Sequence, residues 1–317
     1  MKRLSGTVIK IVGTTSHVDT LEGVVLCDLR ARLFRQLGVR LAVGDLVSLT
    51  TEDAESENDR GVIDAVEPRR SSLRRVRDLK RNQVLCANVD QIFVVVAILD
   101  PPYKRAFIDR LLVRIEQDRL EGVVVFNKMD LADEPYAELV AEDAAVYEDL
   151  GYRTLRISAV GNGGLGELIA AFSGRISAVV GPSGVGKSTL LNAICPELKL
   201  RTGEVSVQDG RGKHTTSSAE LVRLPGAQGG FVVDTPGLRG FGLWDLTPEE
   251  IVDGFRELAA FRGRCRFRNC AHKAEPECAV REGVESGEID HERYESYLRL
   301  MEEVEAGASE RQASRRR

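Results

Sequence analysis

No apolar run in this 317-residue chain is long enough to cross a bilayer; residues 92–99 (IFVVVAIL) stop far short of the ~20 residues a spanning helix needs. The opening MKRLSG carries charge but no apolar core follows it, so no secretory signal is expected and the expected location is the cytoplasm. Aromatics are scarce, at 5% of residues, and residues 1–68 hold Phe34 alone, which gives that region no surface for stacking bases. Cysteine is sparse too. Of six, Cys27, Cys86 and Cys195 lie far apart and read as small buried apolar residues, while the other three cluster late in the chain, a pattern of metal binding and not of disulfides. Neither sign of charge dominates. The net charge of −5 hides residues 69–81 (RRSSLRRVRDLKR), with seven basic residues against one Asp, and a tail ending in Arg315, Arg316 and Arg317. An anionic partner is therefore not excluded. At 43% hydrophobic and 29% charged the composition is that of a soluble globular protein, and the length suits two or three domains.

What is there is organised around residues 181–189, GPSGVGKST. Apolar residues 176–180 precede them and helix formers 190–194 follow: strand, tight loop, helix start. Gly181, Gly186, Lys187 and Ser188 satisfy G-x-x-x-x-G-K-[ST], and Pro182, Ser183, Gly184, Val185 and Thr189 complete the loop. A triphosphate needs donors at close range; glycines let successive backbone N–H groups turn towards it, and the helix start adds its positive end. Lys187 is placed to bridge the outer phosphates and Ser188 to hold Mg²⁺.

Before this loop, residues 1–68 read as five short strands (6–12, 16–21, 24–27, 45–50, 61–66), a small closed barrel of OB type. Residues 52–59 form an acidic tip. Residues 69–83 read as a basic linker, open to two readings: a solvated spacer, or contact with an RNA backbone through counterion release. Residues 84–245 alternate strand and helix, which implies a mainly parallel sheet covered on both faces. Residues 246–317 read as a helical module whose last dozen residues are expected to be disordered.

Three further segments complete a nucleotide site. NKMD, residues 127–130, follows a buried strand, where ligands bind in open α/β sheets. Asp130 can accept from the guanine N1–H and amino group, and adenine lacks that donor pair. Asn127 would brace the pocket, the Lys128 stem would pack over the ring, and Met129 completes the turn. Ser158 and Ala159 end a strand where a backbone N–H could meet the guanine carbonyl. DTPG, residues 234–237, supplies Asp234 for Mg²⁺ and the Gly237 N–H for the γ-phosphate. The next residue is Leu238, where Ras-like GTPases keep a glutamine that orients water, so unaided hydrolysis should be slow. His214, in the polar loop 209–217 (DGRGKHTTS), is the candidate replacement, alongside Lys187 and Asp234 as catalytic groups; Thr215 or Thr216 would complete the Mg²⁺ shell. Separately, Cys265, Cys270, His272 and Cys278 form C-x₄-C-x-H-x₅-C. Three thiolates and an imidazole suit one tetrahedral, structural Zn²⁺. Arg262, Arg264, Arg266, Arg268 and Lys273 rim it with positive charge.

NKMD precedes the phosphate loop here, whereas ordinary GTPases begin with the loop; the domain reads as a circularly permuted P-loop GTPase. In this order of motifs, and in the loop GRGKHTTS and the zinc spacing, the chain resembles the ribosome-small-subunit-dependent GTPase A family (RsgA, also called YjeQ) over nearly its whole length. The resemblance implies a factor in late 30S maturation that binds the 30S subunit and 16S rRNA, takes GTP and GDP with Mg²⁺, and is stimulated by the subunit to hydrolyse and leave. It links His214 to that stimulation. It implies neither DNA nor membrane as partner, and the chain is expected to be a monomer. A P-loop kinase would have no use for NKMD, and an RNA-binding scaffold with a merely structural nucleotide would tolerate Lys187→Ala.

Overall fold

The structure, a computed structural model, describes residues 1–29, 40–51, 60–76, 82–161, 163–199, 219–234 and 246–315, with backbone alone at 75, 76, 82, 83 and 308–315. Strands β1 (Lys2–Val12), β2 (Thr15–Thr20), β3 (Gly23–Leu29), β4 (Leu46–Thr51) and β5 (Arg60–Val66) close into a barrel in the order β1-β2-β3-β5-β4. The cause is alternation. In β2 (TSHVDT) and β4 (LVSLTT) every second side chain is buried, giving each strand one inward face. Val8, Val18, Cys27, Val47, Leu49 and Ile63 fill the interior. Parallel pairing of β3 with β5, Cys27 opposite Gly61, closes the ring and leaves no free edge. Cys27 is thus a packing residue, and burial pushes its thiol up to about 11.

The basic run departs from a linker. Ser72–Val76 is strand β6, paired antiparallel with β7 (Asn82–Ala87). Arg69 is occupied internally: its Nε and Nη2 donate to the two oxygens of buried Asp45 at 2.6 and 2.8 Å. Arg70 pairs with Asp90 at 3.2 Å. Composition left open a solvated spacer or contact with an RNA backbone; the strand pairing and the buried carboxylate speak against a wholly solvated spacer. Residues 77–81 and the acidic tip 52–59 lie outside the described residues.

From β8 (Gln91–Ala97) strands and helices alternate as expected through α1 (Arg105–Gln117), β9 (Glu121–Asn127), α2 (Glu134–Asp149), β10 (Arg153–Arg156), α3 (Leu165–Phe172), β11 (Ile176–Val180) and α4 (Lys187–Ile194), and two successive strands, β12 (Glu220–Arg223) and β13 (Phe231–Asp234), end the series. The sheet order is β10-β9-β8-β11-β13-β12. β9 runs parallel to β10 and β11 to β13, while β12 lies antiparallel to β13. Strands β8 and β9 read as unbroken apolar runs because both faces are covered.

The chain divides into two compact units. One comprises Met1–Phe93, Gly164–Val180 and Lys187–Gly240; the other comprises Val94–Gly163, Gly181–Gly186 and Phe241–Arg317. In the first, the barrel meets β12 through Lys10–Glu220 at 2.8 Å and through an Arg223–Asp19 pair. In the second, helices α5 (Pro248–Gly254), α6 (Arg256–Ala259), α7 (Ala279–Glu285) and α8 (His291–Arg315) gather around Ile251, Phe255, Leu258, Val280, Tyr297 and Leu300. Thr247 and Glu250 form a reciprocal capping box that starts α5. The expected disorder of the last dozen residues is not what the backbone does: α8 stays helical to Arg315.

Candidate functional site

Strand β9 is buried from Gly122 to Asn127 and then turns sharply, with Lys128 left-handed at φ 64°. That turn brings the NKMD segment out of the core. The Met129 N–H donates to Ile157 O at 3.1 Å, tying the turn to the end of the neighbouring strand. Asn127 is 1% exposed. Its Nδ2 donates to Val185 O at 2.8 Å, so two segments 58 residues apart in sequence are held together. Its Oδ1 is buried without a hydrogen-bond partner. Lys128 Nζ donates to Asp100 O.

The glycine loop is built around the same contact. Gly186 has φ 90°, and a Cβ there would lie 2.5 Å from Asn127 Nδ2. At Gly181 a Cβ would lie 2.1 Å from Val95 O. Both positions exclude any side chain, for steric reasons that the motif alone does not state. Val185 is buried and anchors the loop; Ser183 and Gly184 are exposed. Lys187 opens helix α4, with Ser188 and Thr189 in its first turn. The positive end of that helix therefore follows the loop directly.

Asp130 is exposed at the mouth of the turn, and its Oδ1 accepts from Ser158 Oγ at 2.5 Å. The same hydroxyl oxygen accepts from the Gly161 N–H at 2.8 Å, so its proton is directed at the carboxylate. The sequence reading gave Ser158 and Ala159 a backbone role only. The Ser158 N–H is committed to Gly163 O at 3.0 Å, which leaves Ala159 as the backbone donor of the pair. The Ser158 side chain has a function that spacing did not reveal: it fixes the orientation of Asp130.

Asp234 ends β13 directly across from Glu220 in the ladder. Partial burial, and then the Glu220 charge, push its carboxyl above the ordinary range. A divalent cation at Asp234 would relieve both effects. His214, Thr215, Thr216, Gly237 and Leu238 lie outside the described residues.

The ligand atoms of Cys265, Cys270, His272 and Cys278 all lie within 4.8 Å of one another, an arrangement that can hold a metal ion. Cys265 Sγ and Cys278 Sγ stand 3.5 and 3.4 Å from His272 Nδ1 and 4.0 Å from each other. Burial lowers the His272 pKa, which favours the neutral ring with a free lone pair. Three residues that sequence reasoning missed shape this loop. Glu275 accepts from the N–H groups of Ala271, Lys273 and Ala274 at 2.8, 2.9 and 3.1 Å. Burial works to raise its carboxyl, but these donors outweigh it and hold the pKa at about 2. Tyr294 and Tyr297 on α8 donate to His272 O and Ala271 O at 2.6 and 2.5 Å. The Y-x-x-Y spacing on a helix was the available signal. The basic rim is partly paired: Arg262 with Asp253, Arg266 with Glu277, Lys273 with Glu305.

Comparison with known proteins brings the two sites under one heading. The family model described as RsgA GTPase matches residues 66–244. A Chlorobaculum parvum protein named small ribosomal subunit biogenesis GTPase RsgA is 42% identical over 95% of this chain and 98% of its own length. YjeQ from Thermotoga maritima superposes with a TM-score of 0.78 at 38% identity, covering 96% of this chain and 99% of that one. YloQ, described as a circularly permuted GTPase, superposes with a TM-score of 0.76 at 28% identity, covering 96% of each chain.

Proposed function

The chain belongs to the RsgA GTPase family, and from that premise we propose how its residues carry out the family's work. The protein is a GTP-hydrolysing enzyme of small-ribosomal-subunit biogenesis. The observation that carries the residue assignment is the bond from Asn127 Nδ2 to Val185 O, 2.8 Å long, which couples base recognition to the phosphate loop across a reordered chain.

Asp130, oriented by Ser158, takes the guanine N1–H and amino group, with Met129 holding the turn and the Ala159 N–H available to the guanine carbonyl. The Lys128 stem covers the base. Residues 181–189 cradle the phosphates, with Lys187 against the outer pair. Ser188 and Asp234 hold Mg²⁺, with Thr215 or Thr216 completing the shell and the Gly237 N–H at the γ-phosphate. When bound, Mg²⁺ neutralises charge that develops on the transferring phosphoryl group. His214 stands in for the glutamine that Leu238 displaces and acts when the subunit is bound.

The Cys265, Cys270, His272 and Cys278 cluster holds one Zn²⁺. A tetrahedron with Zn–S near 2.3 Å and Zn–N near 2.0 Å has edges of about 3.8 Å between sulfurs and about 3.5 Å between sulfur and nitrogen. The distances of 4.0, 3.5 and 3.4 Å given above fit it. Four protein ligands leave no open position, so the metal is structural. We assign residues 1–68 to the barrel, 84–245 to the permuted GTPase and 246–317 to the zinc module. The protein works as a cytoplasmic monomer on the 30S subunit and its 16S rRNA; no helix among the described residues is long and apolar enough to cross a membrane.

The test is GTP turnover with and without purified 30S subunits, for the native chain and His214→Ala. Stimulation by 30S that His214→Ala abolishes, with basal turnover kept, supports the assignment. A native rate indifferent to 30S refutes it.

A further inference from the structure

We propose that Phe267 is a stacking platform for an unpaired RNA base, set in the metal-ligand loop and flanked by arginines that take the adjoining phosphates. The inference rests on the reading of ribosomal RNA as partner and adds to it a residue and a mode of contact. Phe267 is 42% exposed and is the only aromatic among the described large apolar side chains that face solvent. It lies between two metal ligands, Cys265 and Cys270, and the Cys270 N–H donates to Phe267 O at 3.3 Å. The ring is thus carried on a short turn fixed at both ends, so little conformational freedom is lost when it is covered.

The surroundings choose the partner. Residues 261–273 (FRGRCRFRNCAHK) contain five Lys and Arg and no acidic residue; Arg262, Arg266 and Lys273 pair with Asp253, Glu277 and Glu305 outside the stretch, which leaves Arg264 and Arg268 as the cations for phosphate. The Arg266 guanidinium lies over the Phe267 ring, 5.6 Å from its centroid. Arg264 is spread over Phe261 at 4.8 Å, and Arg268 has no ion-pair partner among the described residues. A guanidinium on a ring beside free positive charge matches the alternation of base and phosphate along a single strand. An apolar protein partner would gain nothing from the cations, and an acidic one would gain nothing from the ring. The barrel cannot supply this contact, since residues 1–68 contain one aromatic, Phe34.

The experiment compares the full native chain with Phe267→Ala, Phe267→Leu, Phe267→Tyr and Phe267→Trp. All are first checked for unchanged metal content and unchanged basal GTP turnover. Binding is measured to 30S subunits and to a single-stranded RNA oligonucleotide over a range of salt. Loss of one stacked base predicts affinity reduced roughly fivefold to a hundredfold in the Ala and Leu variants. Their salt slope should stay native, because no phosphate contact is removed. The Tyr and Trp variants should bind as the native chain does, and RNA should quench the fluorescence of Phe267→Trp beyond that of the native Trp244. Arg264→Gln with Arg268→Gln should instead flatten the salt slope. Native-like RNA binding by Phe267→Leu overturns the proposal, because then apolar bulk and not an aromatic face is what matters. A native chain that binds 30S while Phe267→Ala binds equally well also overturns it. A native chain that fails to bind 30S at all overturns the functional reading beneath it, and the two failures are told apart by that one control.

Discussion

Arg293 is the largest wholly buried side chain among the described residues, and replacing it is the sharpest test of how the helical region is held. Its Nη1 donates to Asp109 at 2.7 Å, and its Nε and Nη2 donate to Glu257 at 2.7 and 3.0 Å. Asp109 accepts in addition from Tyr147 OH at 2.9 Å. The guanidinium also lies 4.6 Å from the centre of the Phe255 ring. Arg293 and Asp109 are 0% exposed and Glu257 is 7% exposed, so water cannot replace the lost partner. Arg293→Met keeps the volume but strands two carboxylates in apolar surroundings, and Asp109 Oδ2 is already without a partner. Removing one side of such a buried network costs about 3–5 kcal/mol. Replacing the set together, with Asp109→Leu and Glu257→Met added, should recover most of that loss, because the uncompensated charges go with it. Urea unfolding followed by circular dichroism reads both changes. A single-variant loss below about 1 kcal/mol, or a triple variant worse than the single one, would mean that water reaches these carboxylates and that the burial argument is wrong.

Three other outcomes follow from the same geometry. On the proposed assignment Asp130→Asn would remove two charge-assisted bonds to guanine, so GDP affinity by titration calorimetry should fall roughly a hundredfold or more; an unchanged affinity would place the base elsewhere. Gly186→Ala drives a methyl into Asn127 Nδ2 and forces alanine to φ 90°, with strain of roughly 1–3 kcal/mol, and it should abolish nucleotide binding while the barrel stays folded. Glu275→Ala frees three N–H groups of the ligand loop without touching a ligand. Metal affinity in a chelator competition should drop roughly ten- to hundredfold, and a native value would make Glu275 a bystander.

What the sequence made legible and what it hid divide along a physical line. A phosphate group is small, and the donors that wrap it must be consecutive, so a phosphate loop at residues 181–189 is a reading that spacing alone can make. A tetrahedral ion draws its ligands from a short loop, so the cysteine and histidine cluster is another such reading. β11 was read to the residue, and the five barrel strands to within a few residues at each end, because alternation and glycine punctuation are local properties. The misses are mostly contacts between distant segments; Glu275, whose donors Ala271, Lys273 and Ala274 lie in its own loop, is the local exception. No spacing rule connects Ser158 to Asp130, or Tyr294 to the carbonyl of His272, since each depends on how a strand end or helix face docks. The internal role of Arg69 was missed for a related reason. Arginine is scored as a solvent-seeking residue, yet Arg69 reaches a carboxylate at Asp45 that is itself fully buried, 24 residues earlier. Pairing cancels the desolvation cost that makes isolated charge an outward signal.

The contact between Asn127 and the glycine loop shows how two motifs far apart in the reordered chain are held together. The asparagine must be buried to reach Val185 O, and Gly186 must lack a side chain to admit it. Each constraint acts on atoms already in place and makes no reference to which segment was synthesised first. Chain order can therefore be exchanged without loss wherever the strands that deliver the two segments keep their positions in the sheet. The motifs survive permutation because they are bound to strand ends and not to their rank along the sequence.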